Sequence, residues 1–142
     1  MRHLYFGRRL GRDTNARKAL AGNLASALFL KGQVVTTLAK AKFARSYVEK
    51  LITRAKTKND LAASRVIASR LRDQAFSKLR DAIGPGFAER RGGYTRIIRL
   101  LPRTGDAAPM AKLELLPIEK DAAKKSKGAK PVSQRNEKHK TN

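Results

Sequence analysis

Cysteine is absent from the 142 residues, which excludes disulfides, thiolate metal sites, iron–sulfur clusters and cysteine nucleophiles and fits a reducing compartment. Acidic residues are scarce: 11 Asp and Glu stand against 33 Lys and Arg, a formal charge of +22. They are scattered and mostly flanked by Lys or Arg, so no paired-carboxylate acid/base site is visible. The two histidines, His3 and His139, have no second His at zinc-helix spacing and supply no base to a Ser or Thr nucleophile. Long apolar runs are missing too. Leu24 to Leu30, with Ser26 inside it, falls far short of the roughly 18 residues of a membrane span. Arg8, Arg9 and Arg12 follow Leu4-Tyr5-Phe6 where a signal peptide would continue apolar, so a protein kept in the cytosol is expected. Leu, Ile, Val and Phe together number 32, near the roughly 20% level below which charged chains stay disordered, so the core must be small.

Composition divides the chain into a basic arm (1–13), a patterned body (14–117) and a basic tail (118–142). All three parts are net positive, so self-repulsion opposes compaction until a polyanion arrives. The tail, with Lys124-Lys125-Ser126-Lys127-Gly128-Ala129-Lys130, is expected to be disordered when free.

Within the body, Asp13-Thr14-Asn15 offers caps and Leu20, Leu24 and Leu28 recur at i, i+4, predicting a helix over 15–30 that stops near Gly32. Gln33 to Thr37 is short and β-branched, a strand whose last Thr can cap the next helix. Ala41, Ala44, Val48, Leu51, Ile52 and Ala55 mark one buried stripe of a helix over 38–56. After the break at Lys58-Asn59-Asp60, a third helix of about three turns carries Leu61, Ile67, Ala68 and Leu71. Asp73 can cap a fourth or pair with its dipole, with Phe76, Leu79 and Ile83 on its core face and Gly84-Pro85-Gly86 as its stop. Tyr94 to Leu101 and Met110 to Leu116 then read as an antiparallel hairpin, with Ala111, Leu113 and Leu115 on the core face of the last strand. The fold class is α+β in two layers, α-β-α-α-α-β-β, with helices packed on a small mixed sheet.

Chemistry therefore rests on the basic surface. If only about 8 of the cations neutralised phosphates, the salt slope of single-strand binding would be about −6 to −7, enough to dominate affinity at low salt. No helix joins a bulky apolar face to a basic one, so a membrane surface is the poorer polyanion. Phe43 and Tyr47, flanked by Lys50 and Arg54, form either a stacking or docking platform or a pair packed beneath a neighbouring loop. Arg96 and Arg99 must leave opposite sides of their strand, and at least one should be free for a phosphate; a solvated edge is the alternative. Gly92-Gly93 precedes a strand and is read as a flexible entry to the hairpin, since phosphate-cradling loops follow strands and open helices. An architectural DNA-binding protein and a small nuclease remain competitors. The first lacks helix-turn-helix, zinc or basic-zipper spacing, and the second lacks clustered carboxylates such as Asp73 or Asp106 would have to join.

Four blocks sharpen this reading: Met1-Arg2-His3 with Gly7-Arg8-Arg9-Leu10-Gly11-Arg12; Thr36-Thr37-Leu38-Ala39-Lys40-Ala41-Lys42 with Leu51-Ile52-Thr53-Arg54-Ala55-Lys56; Gly92-Gly93-Tyr94-Thr95-Arg96-Ile97; and Gly105-Asp106-Ala107-Ala108-Pro109-Met110-Ala111 with Glu114-Leu115. In this order they resemble the seventeenth protein of the bacterial large ribosomal subunit, over about residues 1–116. The resemblance implies a two-layer fold in the order read above and a structural, non-catalytic protein without cofactor, metal or small-molecule substrate. It also implies partners: large-subunit ribosomal RNA near the peptide exit and the neighbouring large-subunit proteins there, in a bacterial cytoplasm. Arg2, His3, Arg8, Arg9 and Arg12 inherit RNA contacts from the family's arm, and Arg17, Lys40, Lys42, Tyr94 and Arg96 follow. Lys18 and Arg99 are read as further RNA-binding cations. Two departures stand out: Ala16 occupies a place where many members have His, and Leu4-Tyr5-Phe6 replaces more basic residues.

Overall fold

The computed structural model describes residues 9–57 and 60–118. Helix α1, Thr14–Lys31, starts where Asp13 accepts the Ala16 N–H at 2.7 Å and ends at Gly32, whose φ of 77° lets its N–H return to the Leu28 carbonyl. Only glycine adopts that left-handed cap without strain. Strand β1, Gln33–Thr37, follows at once, and Thr37 occupies the N-cap position of α2, Leu38–Ala55, although its hydroxyl makes no capping bond. The expected stripe is the buried one: Ala41, Ala44, Val48, Leu51, Ile52 and Ala55 are all withdrawn from water.

Asp60 caps α3, Leu61–Ala68, by accepting the Ala62 and Ala63 N–H groups at 2.9 and 3.0 Å. This helix is shorter than the three turns expected. The Ser69 hydroxyl donates to the Val66 carbonyl and Arg70 N–H turns back to Ile67, so the last turn tightens and the chain leaves the helix. Helix α4, Asp73–Lys78, decides between the two roles open to Asp73. Its N-cap is Arg72, and Asp73 lies in the first turn, where its charge favours the exposed amide end without capping it.

Gly84-Pro85-Gly86 is not the stop it was read to be. The chain passes from α4 through a π turn, Leu79–Ile83, into a last helical turn α5, Gly84–Gly86. In the π turn the Gly84 N–H reaches the Leu79 carbonyl, five residues back. That resets the hydrogen-bond register so that Pro85 falls in a first turn, where its missing N–H costs nothing. Gly84 meets a further demand: a Cβ there would lie 2.5 Å from the Ala55 carbonyl oxygen, so the end of α2 seats directly on its backbone.

Strands β2, Thr95–Arg99, and β3, Met110–Leu115, form the expected hairpin, but the sheet order is β1-β3-β2. The sheet is antiparallel throughout rather than mixed. Strand β3 lies between the two parallel-running strands, pairing Val34 with Leu113 on one side and Ile97 with Leu113 on the other, so β1 and β2 never meet. The last strand takes the centre because it carries the apolar side chains that a central position buries: Ala111 and Leu113 are at most 1% exposed. Helices cover one face, with Leu28, Phe29, Val48, Leu51, Ile52 and Leu79 fully buried against it, each such side chain contributing about 1.5–3 kcal/mol over exposure. The arm through Arg8 and the tail from residue 119 onward, with their expected roles, lie outside the described residues.

Candidate nucleic-acid interface

Two of the residues singled out from sequence are brought together by the α2–β2 packing. Lys42 and Arg99 line one groove with Leu38, Arg45, Ser46, Glu49 and Ile97. The acid in that groove is already engaged. Glu49 accepts from Arg45 Nε at 3.2 Å and from the Thr95 hydroxyl at 3.1 Å. Lys42 and Arg99 are exposed and make no ion pair with a described carboxylate, so their charge is available to an outside anion.

Arg96 leaves the other side of β2, as strand alternation requires. It faces Glu114 across the register and donates to Oε1 from Nε at 2.8 Å and Nη2 at 2.6 Å, while Lys112 holds Oε2 at 3.0 Å. The Lys112 and Arg96 hydrogen bonds keep the Glu114 carboxyl below the usual carboxylate range. On the outer sheet face, then, two cations share one acid, and Arg96 offers less to a phosphate than Arg99 does.

Tyr94 leaves the predicted set. It is 1% exposed, its ring packs on Phe87 with centroids 5.3 Å apart, and its hydroxyl donates to the Arg90 carbonyl at 3.2 Å. Lys56 lies over the ring at 5.9 Å and also donates to the Arg90 carbonyl. A buried ring with its polar tip satisfied is core, and no base can stack on it.

At the base of the arm, Leu10 and Gly11 both have positive φ, 54° and 64°, and Arg12 N–H bonds the Arg9 carbonyl. This is the tight turn that two successive left-handed residues make. Arg17 reinforces it by donating to the Arg12 carbonyl and the Thr14 hydroxyl, both at 3.3 Å. Arg17 thus organises the place where the arm leaves α1, with Arg9 and Arg12 exposed beside it. Neither α1 nor α2 has an acid in its first turn. Instead Arg17 and Lys18, and Lys40 and Lys42, sit near those helix starts, adding cations to ends whose amides already favour anions. Lys40 is half-buried; Arg2, His3 and Arg8 lie outside the described residues.

Lys18 belongs to another surface. It lines a groove between α1 and the 69–72 turn with Asn23, Tyr47, Arg70 and Arg72. Arg70 and Arg72 escaped the sequence reading because the segment between two short helices gave no motif; only their alternation around the apolar Leu71 hinted at a turn with cations outward. Of the Phe43–Tyr47 pair, Tyr47 packs against the core and lines this groove, while Phe43 is half-buried. Burial raises the Tyr47 hydroxyl pKa, and the Arg70 guanidinium bonded to it works in the opposite direction.

The competing nuclease needs acids gathered around metal ions, and among the described residues none gather. Asp106 is held by Arg103, which donates from Nε and Nη2 at 3.0 and 2.5 Å, and by the Ala108 N–H, so its carboxyl is lowered to about 2. Among the described residues no three His, Asp or Glu side chains are placed to share a metal. No described helix is long and apolar enough to cross a membrane.

The family profile of ribosomal protein L17 matches residues 20–116, which span α1 to the end of the sheet. The chain belongs to the ribosomal protein L17 family. Relatives named large ribosomal subunit protein bL17 agree. That of Pelobacter propionicus is 48% identical over 84% of this chain and 94% of its own length. That of Paramagnetospirillum magneticum is 48% identical over 94% of both chains, and that of Campylobacter concisus is 50% identical over 82% of this chain and 98% of its own. The L17 family is one of structural, non-enzymatic ribosomal components.

Proposed function

We propose that this chain is a structural constituent of the large ribosomal subunit that binds its ribosomal RNA near the peptide exit, supporting assembly and translation in the bacterial cytoplasm. Support for the subunit comes from the relatives' shared name. The observation that carries RNA binding is the pair Lys42 and Arg99, converging on one groove whose acid is already bound elsewhere. In such a role the body, 14–117, holds its cations in fixed geometry, and arm and tail add their cations to the same polyanion. Recognition rests on RNA shape and unstacked nucleotides, since A-form grooves hide base edges from side chains. Exposed Leu100 and Leu101, the latter 87% accessible, offer apolar surface to a neighbouring large-subunit protein. Sucrose-gradient sedimentation of a tagged full chain tests the assignment: it should travel with the large ribosomal particle through moderate salt. A chain found only in the soluble fraction, or only with the small particle, defeats the proposal.

A further inference from the structure

The groove between α1 and the 69–72 turn has a composition that differs from the rest of the basic surface. Its walls are Lys18, Asn23, Tyr47, Ser69, Arg70 and Arg72 with small apolar residues between them, and no carboxylate is among them. At about 630 Å³ it is a concavity, of the size that holds a small ligand rather than a duplex. Its shape is enforced from below. A Cβ at Gly22 would lie 2.8 Å from the Arg70 carbonyl oxygen, so the bare backbone of α1 lets the 69–72 turn come close and fixes Arg70 and Arg72 opposite Lys18. Tyr47 supplies an aromatic wall whose back rests on the core, so the ring is already ordered and gives up little freedom on contact.

Cations on both walls, an aromatic between them, and amide and hydroxyl groups from Asn23 and Ser69 are the groups that hold a phosphate, stack a base and bond its edge. We propose that this groove takes up one unstacked nucleotide of RNA, its phosphate between Lys18 and Arg72 and its base against Tyr47. The inference rests on the RNA-binding role proposed above and specifies where a single-stranded feature is read.

Two measurements on the full chain test it. In the first, adenosine 5′-monophosphate is titrated into the labelled protein and followed by NMR, with inorganic phosphate as comparison. Shifts concentrated on residues 18–26, Tyr47 and 69–72, larger for the nucleotide than for phosphate and abolished in Lys18→Gln/Arg72→Gln, are expected. Equal shifts from both ligands, or shifts spread over Lys42 and Arg99 as well, overturn the site. In the second, affinity for a large-subunit RNA transcript is measured across salt. Lys18→Gln/Arg72→Gln, which lose one neutralised phosphate, should flatten the salt slope by about 0.7, and Tyr47→Leu should weaken binding roughly tenfold at unchanged slope. Tyr47→Phe keeps the ring and should bind as the parent does, which guards against a Leu variant that folds poorly. Wild-type chain that fails to bind the transcript defeats the general RNA-binding role. Tight wild-type binding untouched by the groove variants defeats this inference alone.

Discussion

Arg96 and Arg99 differ by three positions in one strand, yet the structure gives them opposite electrostatic situations, and this yields a sharp test. Arg99 faces the α2 side with no described carboxylate partner, whereas Arg96 is bonded twice to Glu114. Removing a cation that neutralises a phosphate changes the slope of log K against log salt by about 0.7 for unpaired RNA and up to about 0.9 for a duplex. Referred to the high-salt limit where binding curves converge, Arg99→Gln should therefore weaken RNA binding about five- to eightfold at 0.1 M salt. Arg96→Gln removes the same formal charge but also releases Glu114 from one partner, so its slope change should be less than half as large. Both side chains are exposed, and neither substitution should alter stability by more than about 1 kcal/mol. Filter binding or fluorescence anisotropy with a large-subunit RNA transcript, repeated at several salt concentrations, reads the slopes. Equal slopes for the two variants would show that pairing within the protein does not govern which cations meet phosphate. A larger effect from Arg96 would refute the placement of the interface on the α2 side of β2.

Tyr94→Phe should leave RNA affinity unchanged and cost about 0.5–1.5 kcal/mol by thermal denaturation, because its hydroxyl bonds the Arg90 carbonyl inside the core; a loss of affinity without loss of stability would return Tyr94 to the interface. Gly84→Ala should destabilise the protein by about 1–3 kcal/mol, since the backbone of Ala55 blocks a Cβ there, and an unchanged melting temperature would contradict that close approach. Asp60→Ala should cost about 1 kcal/mol and speed amide exchange at Ala62 and Ala63, the groups it caps, while Asp60→Asn should retain most of the protection. The Asp106 carboxyl, lowered from 3.8 to about 2, should support the 103–108 loop fully above about pH 4 and lose that support as pH falls toward 2. NMR titration of the Asp106 carboxyl reads this directly, and an ordinary value near 3.8 would mean that the Arg103 pair does not persist in solution.

Local chemistry was legible where one element explains itself. The α2 stripe from Ala41 to Ala55, the caps at Asp13 and Gly32, and the core face of β3 all follow from spacing and side-chain type, because a helix or strand must turn its apolar positions to whatever covers it. Where the reading failed, a neighbour had intervened. Gly84-Pro85-Gly86 carries the letters of a stop, but the π turn before it absorbs the proline, and α2 packing on Gly84 holds the segment helical. Tyr94 sits in a basic run within the stretch that matches the L17 family, yet burial against Phe87 decides its role.

By itself the sequence determined the charge, the absence of cysteine chemistry, the order of the main elements and the family resemblance, since these depend on composition, local motifs and periods within single segments. Tertiary structure alone decided that the last strand lies between the other two, that Lys42 and Arg99 line one groove, that Glu114 occupies Arg96, and that Arg70 and Arg72 line a groove with Lys18. Each of these is a meeting of residues far apart along the chain, fixed by which surfaces pack together, and no local pattern records which distant partner a side chain will find.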